Sequence, residues 1–142
     1  MRPDPAREYR RWLRQAESDL DDARYGMAGD RHSLACFLSQ QAAEKAVKAF
    51  LYLRGSELVW GHSVAELLED AAALDPAFEG LRGMGGFLDR FYITTRYPNG
   101  LPGGIPSESF SRKDAEEAIG AAAEIIAAVS AKGDSQGSRN GA

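Results

Sequence analysis

The apolar residues of this chain recur at steps of three and four, which is the spacing of one face of an α-helix. No alternating apolar run is long enough to form a sheet, so the sequence predicts an all-helical protein. The first helical segment begins near Asp4 or Pro5 and is ended by Gly29 and Asp30. Its apolar stripe runs between charged residues and consists of Trp12, Ala16, Leu20, Ala23 and Met27.

The second segment, SLACFLSQQAAEKAVKAFLYLRG, is predicted to be the central helix, with Gly55 as its stop. Its alanines allow neighbouring helices to approach closely. The wide apolar face consists of Leu34, Phe37, Leu38, Ala42, Ala46, Phe50 and Leu53. The remaining face carries Gln40, Gln41, Glu44, Lys45 and Lys48.

Two capping boxes mark the starts of later helices. Ser63 and Glu66 begin a short third helix that runs to about Leu74, and Ser111 with Asp114 forms a weaker box before the last helix. The apolar face of that last helix consists of Ala115, Ala118, Ile119, Ala122, Ile125, Ile126 and Val129.

A fourth helix is predicted between these two, after Pro76. Its helically spaced apolar residues are Leu81, Met84, Leu88 and Phe91 or Tyr92. Its glycines weaken this prediction, because each one costs about 1 kcal/mol relative to alanine inside a helix. Either the helix starts late or another backbone packs against it. These glycines are Gly80, Gly83, Gly85 and Gly86.

Four to five helices with short connections predict an up-and-down antiparallel bundle. The chain has 142 residues, of which 44% are apolar, so one domain with a single buried core is feasible. We assign this domain to residues 1–131. The polar, glycine-rich end, residues 132–142, is predicted to be a disordered tail.

Composition excludes several classes of protein. A net charge of −4 disfavours non-specific coating of nucleic acid, which depends on an excess of lysine and arginine. The single cysteine, Cys36, cannot form an internal disulfide, and we expect it to be a small core residue in a cytoplasmic protein. Neither a signal peptide nor a membrane span is expected. Two histidines and one cysteine show no metal-ligand spacing, so no metal site is predicted.

The segment FYITTRYPNGLPGGIPSESF, residues 91–110, is the leading candidate for a binding loop. The guanidinium of Arg96 suits a phosphate, and Tyr97 or Tyr92 could stack on a base. Pro98 and the later prolines stiffen the backbone, and Asn99-Gly100 offers a turn. The competing interpretation is that Arg96 pairs with an acidic side chain such as Glu44 or Asp89 and pins the loop to the bundle.

The polar face of the second helix is a further candidate. Lys45, Lys48, Gln41 and Glu44 could form a polar groove beside the loop. A solvated face with a Glu44–Lys48 pair, worth a few tenths of a kcal/mol, is favoured on sequence alone. For His62, which precedes Ser63, a capping or packing role is favoured over catalysis because it has no partner at a recognisable spacing.

These segments together resemble the HEPN domain family of prokaryotes. The most specific pieces are ACFLSQQAAEKAVKA and FYITTRYPNGLPGG, and the resemblance spans nearly all of residues 8–131. The second piece is similar to the branch of the family with an RYP-containing loop. Membership implies a helical bundle, usually a homodimer, often encoded beside a small nucleotidyltransferase. It also implies nucleotide or RNA binding and, in many members, RNA cleavage.

The sequence departs from the cleaving members in one respect. Those carry an arginine followed, after four to six residues, by a histidine. Here the histidines are His32 and His62, and seven residues separate Arg54 from His62. The sequence therefore favours a nucleotide- or RNA-binding regulatory module, without a cofactor other than a bound nucleotide, over an enzyme. The alternatives are a metal-independent ribonuclease toxin with a non-standard site and a dimeric scaffold without a small ligand.

Overall fold

A computed structural model of the protein describes the backbone of residues 4–141 and the side chains of residues 4–135. All regular secondary structure in the described part of the chain is helical, and this part contains no β-strand. It comprises five α-helices of eight or more residues, one single-turn helix and connecting loops. The helices are α1 (Pro5–Ala28), α2 (His32–Leu53), α3 (Val64–Leu74), α4 (Arg82–Asp89), α5 (Phe91–Thr94) and α6 (Arg112–Gly141). Three 3₁₀ segments connect them: Pro76–Leu81, Pro98–Gly100 and Pro106–Glu108.

Helix α2 is the centre of the bundle, as the sequence predicted. It packs against α1 along most of its length and against α6 on another side, and its alanines are fully buried. Leu34 departs from the predicted apolar face, because it lies at the first turn of the helix and is 47% exposed. The predicted apolar face of α6 is buried throughout, from Ala115 to Val129.

The predicted helix starts are confirmed, with one change in how the third is capped. Asp4 accepts a hydrogen bond from the Ala6 N–H at the start of α1. Ser111 and Asp114 form a complete capping box, each side chain accepting the backbone N–H of the other residue. At α3, Ser63 Oγ accepts from the Glu66 N–H, but the carboxylate that completes this cap is that of Asp89, described below.

Two glycines of the fourth segment are explained, one by each alternative that the sequence left open, whereas Gly83 and Gly86 lie inside α4 with no atom within 4 Å of an added Cβ. The segment starts as a 3₁₀ turn, so α4 begins only at Arg82. A Cβ atom at Gly85 would lie 2.9 Å from both the Cα and the backbone nitrogen of Ala65. Helix α3 therefore crosses α4 closer than any side chain would allow.

Helix α6 continues to Gly141 and so includes part of the segment predicted to be a disordered tail. Residue 142 and the side chains beyond residue 135 lie outside the described residues. The tail assignment for residues 132–142 stays a prediction.

Candidate functional site

Arg96 lies at the start of the proline-rich loop, directly after α5, and is surrounded by aromatic rings. Its guanidinium carbon is 4.6 Å from the ring centres of Phe37 and Tyr92 and 5.2 Å from that of Tyr97. Cations over ring faces are attracted by the ring quadrupole, so the rings fix the position of the guanidinium. We call these four residues the Arg96 cluster.

The side chain of Arg96 is fixed but not neutralised. Its Nε–H donates to the carbonyl oxygen of Tyr92 at 2.8 Å. Among the side chains of residues 4–135, no carboxylate forms an ion pair with it. The pairing with Glu44 or Asp89 that the sequence left open is therefore not formed, and the two terminal guanidinium nitrogens of this exposed residue face no acidic partner there.

The loop after Arg96 is folded back on α5. Pro98 begins a 3₁₀ turn that ends at Gly100, and a Cβ at Gly100 would lie 3.3 Å from the Cα of Thr94. The turn predicted at Asn99-Gly100 is present, and this close approach explains why its second residue is glycine. The turn holds Tyr97, which is 51% exposed, beside Arg96.

Glu44 and Lys48 do not form the solvated face that the sequence favoured. Their pair exists, with Lys48 Nζ 3.2 Å from Glu44 Oε2, but the two residues are only 4% and 6% exposed. Gln40, which is fully buried, donates to Glu44 Oε1 at 3.4 Å. These three residues form a buried network, which the exposed His62 contacts at its edge. The correction has a physical cause, since α1 and the α2–α3 loop cover the polar face of α2.

His62 joins the buried network to the Arg96 cluster. Its Nδ1 lies 3.2 Å from Glu44 Oε1, and its ring stacks on Tyr92 with ring centres 4.9 Å apart and planes 18° apart. The carbonyl oxygen of His62 accepts a hydrogen bond from Gln40 Nε2 at 2.9 Å. The imidazole is nevertheless 60% exposed. In the tautomer with its proton on Nδ1, this nitrogen donates to the carboxylate and Nε2 carries the lone pair.

Asp89 caps helix α3 from α4. Its carboxylate accepts from Ser63 Oγ at 2.7 Å, from the Val64 N–H at 2.6 Å and from the Ala65 N–H at 3.1 Å. A negative charge at a helix N-terminus satisfies orphan donors and complements the helix dipole. Asp89 therefore supports the site by fixing the residues that follow His62.

Two predicted site residues of α2 lie away from the Arg96 cluster. Gln41 donates to Gln40 Oε1 at 2.7 Å, at the edge of the buried network. Lys45 forms an ion pair with Asp19 of α1, with Nζ and Oδ2 2.5 Å apart, and Asp19 also accepts from Gln15. Lys45 thus faces the groove between α1 and α2.

This groove between α1 and α2 was not predicted. It has a volume of about 820 Å³ and is lined by Arg11, Trp12, Arg14, Gln15, Lys45 and Tyr52, among others. The rings of Trp12 and Tyr52 have centres 5.5 Å apart. Trp12, predicted as part of the core stripe, is only partly buried. The arginines at positions 11 and 14, which flank it in the sequence, were the available signal.

Cys36 and the acidic residues offer no reactive or metal-binding alternative. Burial, with a smaller contribution from Asp114, raises the pKa of the Cys36 thiol to about 12, so it stays protonated near neutral pH. Cys36 is buried, as expected. In the portion with described side chains, no group of three histidine, cysteine or acidic residues could hold a metal ion.

The three long helices α1, α2 and α6 pack together, and the loop after α5 places Arg96 against Phe37 of α2. These features define a class of small helical-bundle domain. The HEPN domain model matches residues 9–132. The chain belongs to the HEPN family.

Solved structures of similar sequence share this fold. TT1696 from Thermus thermophilus is 39% identical, with 87% of this chain and 97% of that chain covered and a TM-score of 0.83. ST0689, an archaeal HEPN homologue, is 40% identical over 88% and 97% of the two chains, with a TM-score of 0.74. A HEPN domain protein from Thermotoga maritima is 32% identical over 84% and 94%, with a TM-score of 0.67. Among curated proteins, none matches.

The length and hydropathy of the helices show whether any of them could span a membrane. Between residues 4 and 141, no helix is both long and apolar enough to cross a bilayer.

Proposed function

We propose that this HEPN-family protein is a nucleotide- or RNA-binding regulatory module that grips a phosphate with Arg96. The observation that carries the proposal is the arrangement of that guanidinium: three aromatic rings hold it, one hydrogen bond orients it, and no described carboxylate neutralises it. Arginine presents a planar fork to phosphate oxygens, and the exposed ring of Tyr97 offers a face for a base.

The remaining parts of the proposal come from the resemblance to the RYP-containing branch, on the residues Arg96, Tyr97 and Pro98. We assign the protein as a homodimer that acts in the cytoplasm with a nucleotidyltransferase partner, in a system of the toxin–antitoxin kind. The single buried cysteine suits a reducing compartment.

Nucleotide titration of purified protein tests the binding site. A ligand at one hundred times its Kd stabilises the folded state by about 2.7 kcal/mol, which is readily seen as a rise in Tm. We expect this rise with the wild-type protein and its loss in Arg96→Ala. Arg112→Ala is the matched control, because Arg112 is an exposed arginine that pairs with Glu116 on α6.

A panel of nucleotides and short RNAs that leaves the Tm of the wild-type protein unchanged would contradict the binding function. That result would favour the dimeric scaffold without a small ligand.

A second function, metal-independent RNA cleavage, is favoured by one specific observation. The partner that His62 lacked in the sequence is supplied by the fold: a buried carboxylate, Glu44, lies 3.2 Å from Nδ1, and the imidazole is 60% exposed. A base oriented in this way could take the 2′-hydroxyl proton of RNA, and Arg96, which contacts the same Tyr92 ring, could stabilise charge on the phosphate.

An RNA-cleavage assay in the presence of EDTA distinguishes the two functions. His62→Asn keeps an N–H donor for Glu44 but removes the second ring nitrogen that would act as the base, so cleavage should disappear in this variant while nucleotide binding remains. Cleavage by His62→Asn at the wild-type rate would exclude His62 as the base. If the wild-type protein does not cleave RNA, only the binding function is supported.

A further inference from the structure

The Arg96 cluster and the α1/α2 groove lie along the same face of α2. Phe37 belongs to the first and Tyr52 to the second, fifteen positions further along the helix. At about 1.5 Å per residue, this places the two sites about 22 Å apart. A single nucleotide is too short to contact both.

The groove contains the same kinds of groups as the Arg96 cluster. It has the partly buried ring of Trp12, which packs on the buried Tyr52, and cations from both helices. Arg11 pairs with Glu8, and Lys45 pairs with Asp19. Arg14 is exposed and has no ion pair among the side chains of residues 4–135, so it has the same free charge as Arg96.

The α2–α3 loop places a further aromatic ring between the two sites. The Val59 N–H donates to the Tyr52 hydroxyl at 3.3 Å, and His62 is held by Gln40 and Glu44. Trp60 lies between these two anchored residues and is 77% exposed. A large apolar side chain held in solvent by fixed neighbours is suited to stacking on a ligand.

We infer that the ligand of this protein is a single strand of nucleic acid that runs along α2 from Arg96, past Trp60, to Trp12 and Arg14. This inference rests on the nucleotide-binding function proposed above and specifies its substrate class. A stacked strand rises about 3.4 Å per nucleotide, so the track accommodates about six nucleotides. Spaced aromatic rings with cations along a groove are the usual means of binding single strands without reading their sequence.

The overall charge of the protein fits this mode of binding. With a net charge of −4, the chain as a whole does not attract nucleic acid, so binding along the track depends on local cations such as Arg96 and Arg14. Each phosphate neutralised on a single strand contributes about −0.7 to the slope of log K against log salt. Arg96 and Arg14 together predict a slope of about −1.4.

The test compares a nucleoside monophosphate with eight-nucleotide single strands of RNA and DNA, using the full chain at several salt concentrations. We expect the octamer to bind at least ten times more tightly than the monophosphate. Comparison of RNA with DNA shows which strand is preferred.

Two exposed positions provide variants that leave the core intact. Trp60→Ala should weaken octamer binding by about five-fold or more, since a stacked base contributes on the order of 1 kcal/mol or more. Arg14→Ala should lower the salt slope by about 0.7. Neither should change monophosphate binding at Arg96.

Leu58→Ala is the matched control for Trp60, because Leu58 is a 63% exposed residue of the same loop that cannot stack on a base. Lys113→Ala is the control for Arg14, because Lys113 lies on α6 and is 82% exposed.

Equal affinity for the monophosphate and the octamer, or octamer binding that is unchanged in both Trp60→Ala and Arg14→Ala, would overturn the inference while leaving the proposed function in place. Failure of both ligands to bind the wild-type protein would overturn the proposed function as well.

Discussion

Arg96 and Lys48 are two cations near His62, and each lies over an aromatic ring, yet they differ in burial and in charge partner. Lys48 is 6% exposed and paired with an equally buried carboxylate, whereas Arg96 is exposed and touches only aromatic rings and a carbonyl oxygen. The sequence presented both as candidates for one polar groove. The difference teaches that burial decides which charge stabilises the fold and which is available to a ligand.

The comparison is tested most strongly by Glu44→Ala. This change leaves the buried Lys48 charge without a partner, and it also removes the acceptor used by Gln40 and His62. Loss of one member of a buried ion pair costs about 3–5 kcal/mol. Urea unfolding should show a decrease of this size in the free energy of unfolding.

The double variant Glu44→Gln with Lys48→Met is the control, because it removes both charges at similar volume and should be much less destabilising. A loss below about 1 kcal/mol in Glu44→Ala would mean that water reaches this network, since exposed pairs contribute that little.

Arg96→Ala should have a smaller effect on stability. Exposed cation–π contacts contribute about 0.5–1 kcal/mol, and the ring contacts of Arg96 share one guanidinium, so we expect a loss of about 1 kcal/mol. The same urea titration measures it. A loss as large as that of Glu44→Ala would show that Arg96 stabilises the fold as the buried Glu44–Lys48 pair does.

The smallest expected effect on stability concerns the partly exposed ion pair of Asp75 and Lys132, which lies outside the Arg96 cluster and the buried network. Hydrogen bonds from Lys132 and then from the Ala77 N–H lower the pKa of Asp75. Because the folded-state pKa lies below the unfolded one, the stabilisation is complete above about pH 3.9 and is lost as pH falls through the folded-state value. For a pair of this exposure we expect at most about 1 kcal/mol at pH 7.

Unfolding of Asp75→Asn followed from pH 7 to pH 2 checks this. The stability of the variant should approach that of the wild-type protein at the acid end. A difference that is constant over the whole range would show that the cap geometry and not the charge is responsible.

The helices were predictable because their signals are local. Asp4, Ser63 and the Ser111–Asp114 box each act within three residues of a helix start, so the sequence alone located them. Even the close approach at Gly85 was one of two alternatives that the glycines indicated.

The site was only partly predictable because its contacts are not local. The pairing of His62 with Glu44 joins positions 18 residues apart, and the cap supplied by Asp89 spans 25 residues to Val64. Spacing along the sequence does not predict such contacts. The burial of Glu44 and Lys48 likewise depends on α1 and the α2–α3 loop covering a helix face that looks hydrophilic in the sequence. For Trp12 the error was the opposite. The apolar stripe predicted a core residue, but the ring is only partly buried and also lines the groove between α1 and α2.

The carboxylate of Asp89 has a consequence for how this protein can diversify. It clasps the first turn of α3, directly after His62, and it stands only three residues before Tyr92, on which that imidazole stacks. This clasp therefore helps to fix the spacing between imidazole and guanidinium, and Phe110, whose ring packs on Phe91, supports the same segment. Changes at the exposed residues 102–104 can alter what the protein accepts while the two functional groups keep their positions.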